Sequence, residues 1–163
     1  MKNTEKTVQE YAQIGKIRAQ GADWVRAGNY WLFGTLTYKA GVDISDSTAR
    51  RNARRYFNAL DRQLLGRGAV DKGKRLPRLV FLEHGRSRTN THLHFFIKGY
   101  ELRHLRQIQA SAQARWKGID YAHDVTVRDL LGTDTDRSGY CFKEWDRADS
   151  EVLLLECCHT DNA

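Results

Sequence analysis

The apolar positions of this chain switch repeatedly between a helical period and a two-residue period. Residues 4–26 set Val8, Tyr11, Ile14 and Ile17 at helical spacing, predicting an N-terminal helix with one buried stripe that Gly28-Asn29 ends. Residues 30–38 are rich in aromatic and β-branched side chains and read as a first strand. Ser45 or Ser47 caps a second helix whose stripe is Ala53, Tyr56, Phe57, Leu60 and Leu64; Gly66-Arg67-Gly68 stops it. Residues 78–84 and 91–98 read as strands two and three, joined by the polar loop 85–90. Leu102, Leu105, Ile108, Ala112 and Trp116 mark a third helix that stops at Gly118. A fourth strand follows over residues 121–127, and a last helix from Asp134 or Thr135 through Tyr140 to about Arg147.

After the first helix the predicted order is therefore β-α-β-β-α-β-α. That is an α+β, ferredoxin-like or RRM-like arrangement: an antiparallel sheet with helices on one face and the other face partly open. Strand parity divides the side chains between the two faces. Leu93, Phe95 and Ile97 point toward the helices, as do Val80, Leu82 and Leu36. His92, His94 and Phe96 point the other way, with Phe81, Glu83, Thr35 and Thr37. One open surface thus gathers Glu83, His92, His94, Thr35 and Thr37.

Length and composition fit one soluble domain: 163 residues, 40% hydrophobic and 29% charged. We divide it into the N-terminal helix (1–28), a core (30–147) and a C-terminal tail (148–163). No apolar run is long enough to cross a bilayer, and the polar first ten residues lack a signal-peptide core, so the expected setting is intracellular, away from membranes. Three cysteines make no disulfide framework. Cys157, Cys158 and His159 are adjacent, so their side chains diverge and cannot wrap one tetrahedral ion. The net charge of +7, with a pI near 9.5, favours a polyanionic partner, nucleic acid before an anionic membrane surface.

Two histidines at i and i+2 of a strand bring both imidazoles to one face, and Glu83 on the neighbouring strand adds a hard oxygen. A His/His/carboxylate set with open positions suits a divalent ion that also accepts a substrate oxygen. The pair alone is weak evidence for an ion, and ordinary surface or hydrogen-bonded strand histidines explain it better. Tyr140 and Lys143, at i and i+3, share a helix face. A tyrosine can attack a phosphodiester covalently, although phenols titrate near ~10 and are under about 1% ionised at neutral pH. A metal and an ammonium group nearby favour the phenolate and offset charge growing on phosphate oxygens.

Thr35-Leu36-Thr37-Tyr38, His92-Leu93-His94-Phe95 and Tyr140-Cys141-Phe142-Lys143-Glu144 resemble, in order, the three motifs of the HUH endonucleases, most closely the rolling-circle replication initiators (Rep proteins) of circular single-stranded DNA viruses, phages and plasmids. Glu83, in Phe-Leu-Glu-His-Gly, stands where that family carries its third metal ligand. The resemblance implies a metal-dependent enzyme that nicks and joins single-stranded or hairpin DNA at a replication origin. Mg²⁺ or Mn²⁺, held by Glu83, His92 and His94, would polarise the scissile phosphate. Tyr140 would attack phosphorus, giving a 5′-phosphotyrosine link and a free 3′-hydroxyl for a polymerase. Lys143 would orient or neutralise the phosphate, and Thr35 and Thr37 would contact DNA or support the site.

Some features depart from that pattern. His84 adjoins Glu83 as a rival ligand, although parity points it to the other face. The last motif holds one tyrosine, implying a single-tyrosine enzyme. No G-x-x-x-x-G-K-[ST] run signals a helicase domain, so unwinding would fall to a host or partner helicase. The expected compartment is the cytoplasm of a bacterial or archaeal host, or the host nucleus for a eukaryotic virus. Arg50, Arg51, Arg54, Arg55, Arg62 and Arg67 crowd the second helix as phosphate contacts or as a solvated face, whereas Arg86 and Arg88 lie in the loop beside the histidines and are the better DNA candidates. Trp31 and Phe33 either stack on bases or lie buried under the N-terminal helix. Two other functions remain open: a transposase or relaxase-like mobilisation protein using the same chemistry, and a non-enzymatic single-stranded nucleic-acid binder on an RRM-like sheet.

Overall fold

The computed structural model describes residues 7–85, 90–131, 137–143 and 152–160. Along the chain run α1 (Val8–Ala27), β1 (Leu32–Tyr38), α2 (Asp46–Leu65), α3 (Arg67–Asp71), β2 (Arg78–Glu83), β3 (His92–Ile97), α4 (Leu102–Lys117) and β4 (Ala122–Asp129). The strands form one antiparallel sheet in the order β2-β3-β1-β4, so the predicted α+β, ferredoxin-like arrangement is the one present. Among the described residues, no helix is long and apolar enough to cross a membrane.

Strand parity holds throughout. Leu32, Leu36, Val80, Leu82, Leu93, Phe95 and Ile97 bury one sheet face against Tyr56, Phe57 and Leu60 of α2 and Ile108 and Trp116 of α4. Ser45 is the N-cap of α2, its hydroxyl accepting from the Thr48 N–H, as short hydroxyl side chains do at helix starts. The short helix α3 follows Gly66 directly and was not anticipated.

Three expectations need correction. First, the stripe of α1 is not the predicted one: Val8 and Tyr11 are exposed, Ile14 and Ile17 only half-buried, and the buried residues are Ala22 and Val25. The helix meets the protein through its C-terminal half, where Val25 joins Phe33, Leu79, Phe81, Phe96, Cys141 and Phe142 in a second apolar cluster on the other sheet face. That face is therefore partly roofed, and Phe33 lies beneath the roof, while Trp31 is half-buried against the main core. Second, a 3₁₀ turn at Tyr140–Phe142 stands where the last helix was expected, and the rest of that helix lies outside the described residues. Third, β4 begins and ends later than predicted, at Ala122 and Asp129.

The C-terminal run lies along the outer edge of β2. Leu82 N donates to Val152 O at 2.7 Å, Leu154 N to Val80 O at 2.9 Å and Arg78 N to His159 O at 2.6 Å, so backbone groups of an edge strand are satisfied by the tail. Arg78 anchors it further: its buried guanidinium reaches Asp61 Oδ1 at 2.8 Å and donates to Cys157 O at 2.9 Å. All three cysteines are free thiols, and burial pushes Cys157 up to about 12.

Candidate active site

The sheet register assembles the site. Glu83 of β2 pairs directly with His92 of β3, and Thr37 of β1 flanks His92 on its other side; in the next row Phe81, His94 and Thr35 are neighbours. Cross-strand partners on one face stand only about 5 Å apart at Cβ, which brings the carboxylate and both imidazoles together without any special loop. The one ligand-capable atom from each of Glu83, His92 and His94 lies within 4.8 Å of the others, and all three residues are buried. Glu83 Oε1 is 3.3 Å from His92 Nε2, and Oε2 is 3.2 Å from His94 Nε2.

Each imidazole is oriented from behind. His92 Nδ1 lies 2.8 Å from the Asn90 carbonyl, which can only accept, so Nδ1 carries a proton and Nε2 faces Glu83. His94 Nδ1 lies 2.9 Å from Thr35 Oγ1. Rings held through their remote nitrogen are the usual preparation of a histidine for an ion. The donor set therefore fits a divalent cation: two imidazole nitrogens and a carboxylate converge, and a group of this kind could bind a metal ion. His84 is not part of it. Its Nε2 is 3.3 Å from Asp46 Oδ1 and its Nδ1 3.3 Å from Thr91 Oγ1, toward α2 as parity requires.

The protonation states follow from these contacts. Burial alone raises the Glu83 pKa, but hydrogen bonds from His92, His94 and Lys143 outweigh it and hold the carboxyl well below the usual carboxylate range. Burial opposes charge on His92, yet the bond to Glu83 and the Asn90 carbonyl raise its pKa above that of a free imidazole. Burial dominates at His94 and lowers it.

Tyr140 and Lys143 arrive from the 3₁₀ turn. The Tyr140 ring stands edge-on to His94, centroids 5.2 Å apart, and remains 43% exposed. Lys143 Nζ lies 3.7 Å from the Tyr140 ring centroid and 2.5 Å from Glu83 Oε1. Burial disfavours its charge, but the Glu83 and Tyr140 contacts raise its pKa, so Lys143 stays an ammonium. The five residues Glu83, His92, His94, Tyr140 and Lys143 thus form one contiguous cluster.

No family model, curated protein or solved structure matches this chain. The geometry therefore stands by itself.

Of the other expected site residues, Thr35 supports His94, and Thr37 Oγ1 both donates to Asp124 O and accepts from Asp124 N, tying β1 to β4. Arg86 and Arg88 lie outside the described residues, as does Glu144. The arginine-rich α2 packs on the opposite sheet face; Arg50 pairs with Glu156 and Arg55 with Asp120. Sequence reasoning missed Asn90 and Arg18. Asn90 acts through its carbonyl, which every residue possesses, and Arg18 binds the Lys143 carbonyl across 125 residues of chain. Neither contact has a sequence signature.

Proposed function

We propose that this chain is a metal-dependent, single-tyrosine endonuclease and strand transferase of the HUH kind, nicking and rejoining single-stranded DNA to initiate rolling-circle replication. The observation that carries this reading is the position of Tyr140, against His94 and beneath the Lys143 ammonium, at the edge of the buried Glu83/His92/His94 group. A structural tyrosine would need neither neighbour.

Glu83, His92 and His94 would hold the ion. Mg²⁺ or Mn²⁺ there would supply Lewis-acid polarisation of the scissile phosphate, and the mixed nitrogen and oxygen donors suit Mn²⁺ well. Tyr140 Oη, its proton passing to solvent, attacks phosphorus as the bond to the 3′-oxygen breaks; that oxygen leaves with the electron pair and takes a proton from solvent to become a 3′-hydroxyl. The 5′-phosphate remains on the tyrosine. Because the phosphotyrosine ester replaces one phosphodiester by another, a 3′-hydroxyl can attack it and rejoin the strand. Lys143, held as an ammonium, is unsuited to be the base; it balances negative charge on the tyrosine and the phosphate oxygens. Assignment to replication rather than transposition or mobilisation rests on the Tyr-x-x-Lys-Glu resemblance. A replication role implies a single-stranded or hairpin origin as substrate, with a helicase and a polymerase acting beside it.

The test uses pools of random single-stranded oligonucleotides with Mn²⁺, read on a denaturing gel. Wild type should form a covalent adduct that disappears on chelation, and Tyr140→Phe should form none. If the two proteins behave alike, the chain is not this enzyme, and a metal-independent binder becomes the better reading. Sequencing the captured oligonucleotides gives the recognition sequence.

A further inference from the structure

The helix α1 has no role in the site as described so far, yet one face of it grips the segment that carries Tyr140. Arg18, Gly21, Ala22, Val25 and Arg26 follow each other at helical spacing, so they share a face. At one end, Arg18 donates to the Lys143 carbonyl at 2.6 Å; at the other, Arg26 donates to Ser138 Oγ at 3.0 Å. Between them the Phe142 ring lies directly against the Gly21 backbone. A Cβ built at Gly21 would stand 2.5 Å from Phe142 Cε1 and 2.7 Å from Cζ. The ring cannot retreat freely, because it is buried and packs edge-on against Phe81 of β2, centroids 5.4 Å apart.

The alternation within the turn explains why this matters. Tyr140 and Lys143 face the ligand group, while Cys141 and Phe142 are driven into the cluster under α1. A single 3₁₀ turn is not stable alone, so its orientation comes from what it packs against. Phe142 is wedged between Gly21 and Phe81, and because it shares a 3₁₀ turn with Tyr140, displacing that ring displaces the turn that carries the tyrosine. Glycine is also among the poorest residues for a helix interior, and its use at position 21 is accounted for by this close approach. Gly15, in the same helix, meets nothing within 4 Å and offers an internal control.

We infer that α1 is a positioning element for the nucleophile: Gly21 and Arg18, acting through Phe142 and the Lys143 carbonyl, fix where Tyr140 stands. This rests on the tyrosine-nucleophile reading above, and the experiment separates the two. With full-length protein, Gly21→Ala should slow adduct formation about 10- to 100-fold, as misplacement by a fraction of an ångström to an ångström does. The half-saturating oligonucleotide concentration and the Mn²⁺ affinity should stay within a factor of about two, because the ligands sit on the strands. Adding Phe142→Leu, which removes the ring atoms that clash, should restore most of the rate. Arg18→Met, a milder change at the end of the same helix face that removes the bond to the Lys143 carbonyl, should show a smaller loss of the same kind. Gly15→Ala should leave the rate unchanged.

A second readout needs no activity: ¹⁹F NMR of protein labelled with 3-fluorotyrosine, the Tyr140 signal assigned by its loss in Tyr140→Phe. Gly21→Ala should shift that signal and Gly15→Ala should not. If wild type forms no adduct, the enzymatic reading falls while the fluorine signal still decides the positioning. An unshifted Tyr140 signal with an unchanged rate in Gly21→Ala overturns the inference. So does a loss that appears in Mn²⁺ affinity rather than in rate.

Discussion

Thr35→Val isolates the support of one ligand from everything else in the site. Valine has the shape of threonine and suits a strand, so β1 and its pairing with Thr126 of β4 should be kept. What disappears is the hydroxyl 2.9 Å from His94 Nδ1. A threonine hydroxyl serves either tautomer, donating to a bare Nδ1 or accepting from a protonated one. Without an ion, His94 Nε2 faces Glu83 as a donor, and the lost bond is a neutral one worth about 1 kcal/mol. An imidazole coordinating through Nε2 must carry its proton on Nδ1, and that polarised N–H makes a bond roughly twice as strong. The difference, about 1 kcal/mol, acts on binding alone and corresponds to roughly 5-fold weaker affinity. Calorimetric titration of Mn²⁺ into DNA-free protein measures it, and Thr35→Ser should restore it. Thr35→Val with a Kd within about twofold of wild type and an unchanged Tm would refute the second-layer role of Thr35.

Mn²⁺ affinity should also depend on pH with a definite sign. An ion must displace the proton from His92, whose pKa is raised, so affinity should climb with pH through a range above the usual imidazole value and fall by up to about tenfold per unit below it. Glu83, held far below, adds nothing to that slope near neutrality. Titrations at mildly acidic and mildly basic pH decide it, and affinity that is flat or greater in acid contradicts the His92 assignment. Away from the site, Asp61→Ala should be severe, because it leaves the buried Arg78 guanidinium without its carboxylate and loosens the tail bound through Cys157 O. A loss of about 3–5 kcal/mol is expected from denaturant unfolding, and one below about 1 kcal/mol would mean that the pair is not holding the tail.

The parts of the protein legible in its sequence are those where periodicity meets a two-sided environment. Parity along β2 and β3 sorted Leu93 and Phe95 from His92 and His94, and chose Glu83 over His84, because a strand buried on both faces must alternate its neighbours. The register that sets Glu83 beside His92 then followed from a short connection between adjacent strands. The burial of α1 was not legible. A stripe at Val8, Tyr11, Ile14 and Ile17 looks like a packing face, but the contact is made by Gly21, Ala22 and Val25, small residues that periodicity weighs lightly. Close approach, rather than apolar area, selects them. The docking of the tail was not legible: its partner is the backbone edge of β2, and backbone hydrogen bonds leave no pattern in side chains.

The same covering of the sheet bears on whether this face is a binding platform or a site for chemistry. A stacking surface of the RRM type needs aromatic rings standing free on the open face. Phe33, Phe81 and Phe96 do point to that face, but they are buried in the cluster with Val25 and Phe142, and Phe33 stacks on His94, centroids 5.4 Å apart. Among the described residues, those left open around the site are mostly polar or charged: Thr126 and Arg128 of β4 beside the half-buried Thr35 and Thr37 of β1, with Tyr140 alongside His94. Such a surface offers a strand few bases' worth of stacking and many contacts to phosphate. The aromatic residues have been used to build the floor and roof around the ligands, which is how a fold spends them when the face must hold groups in fixed positions.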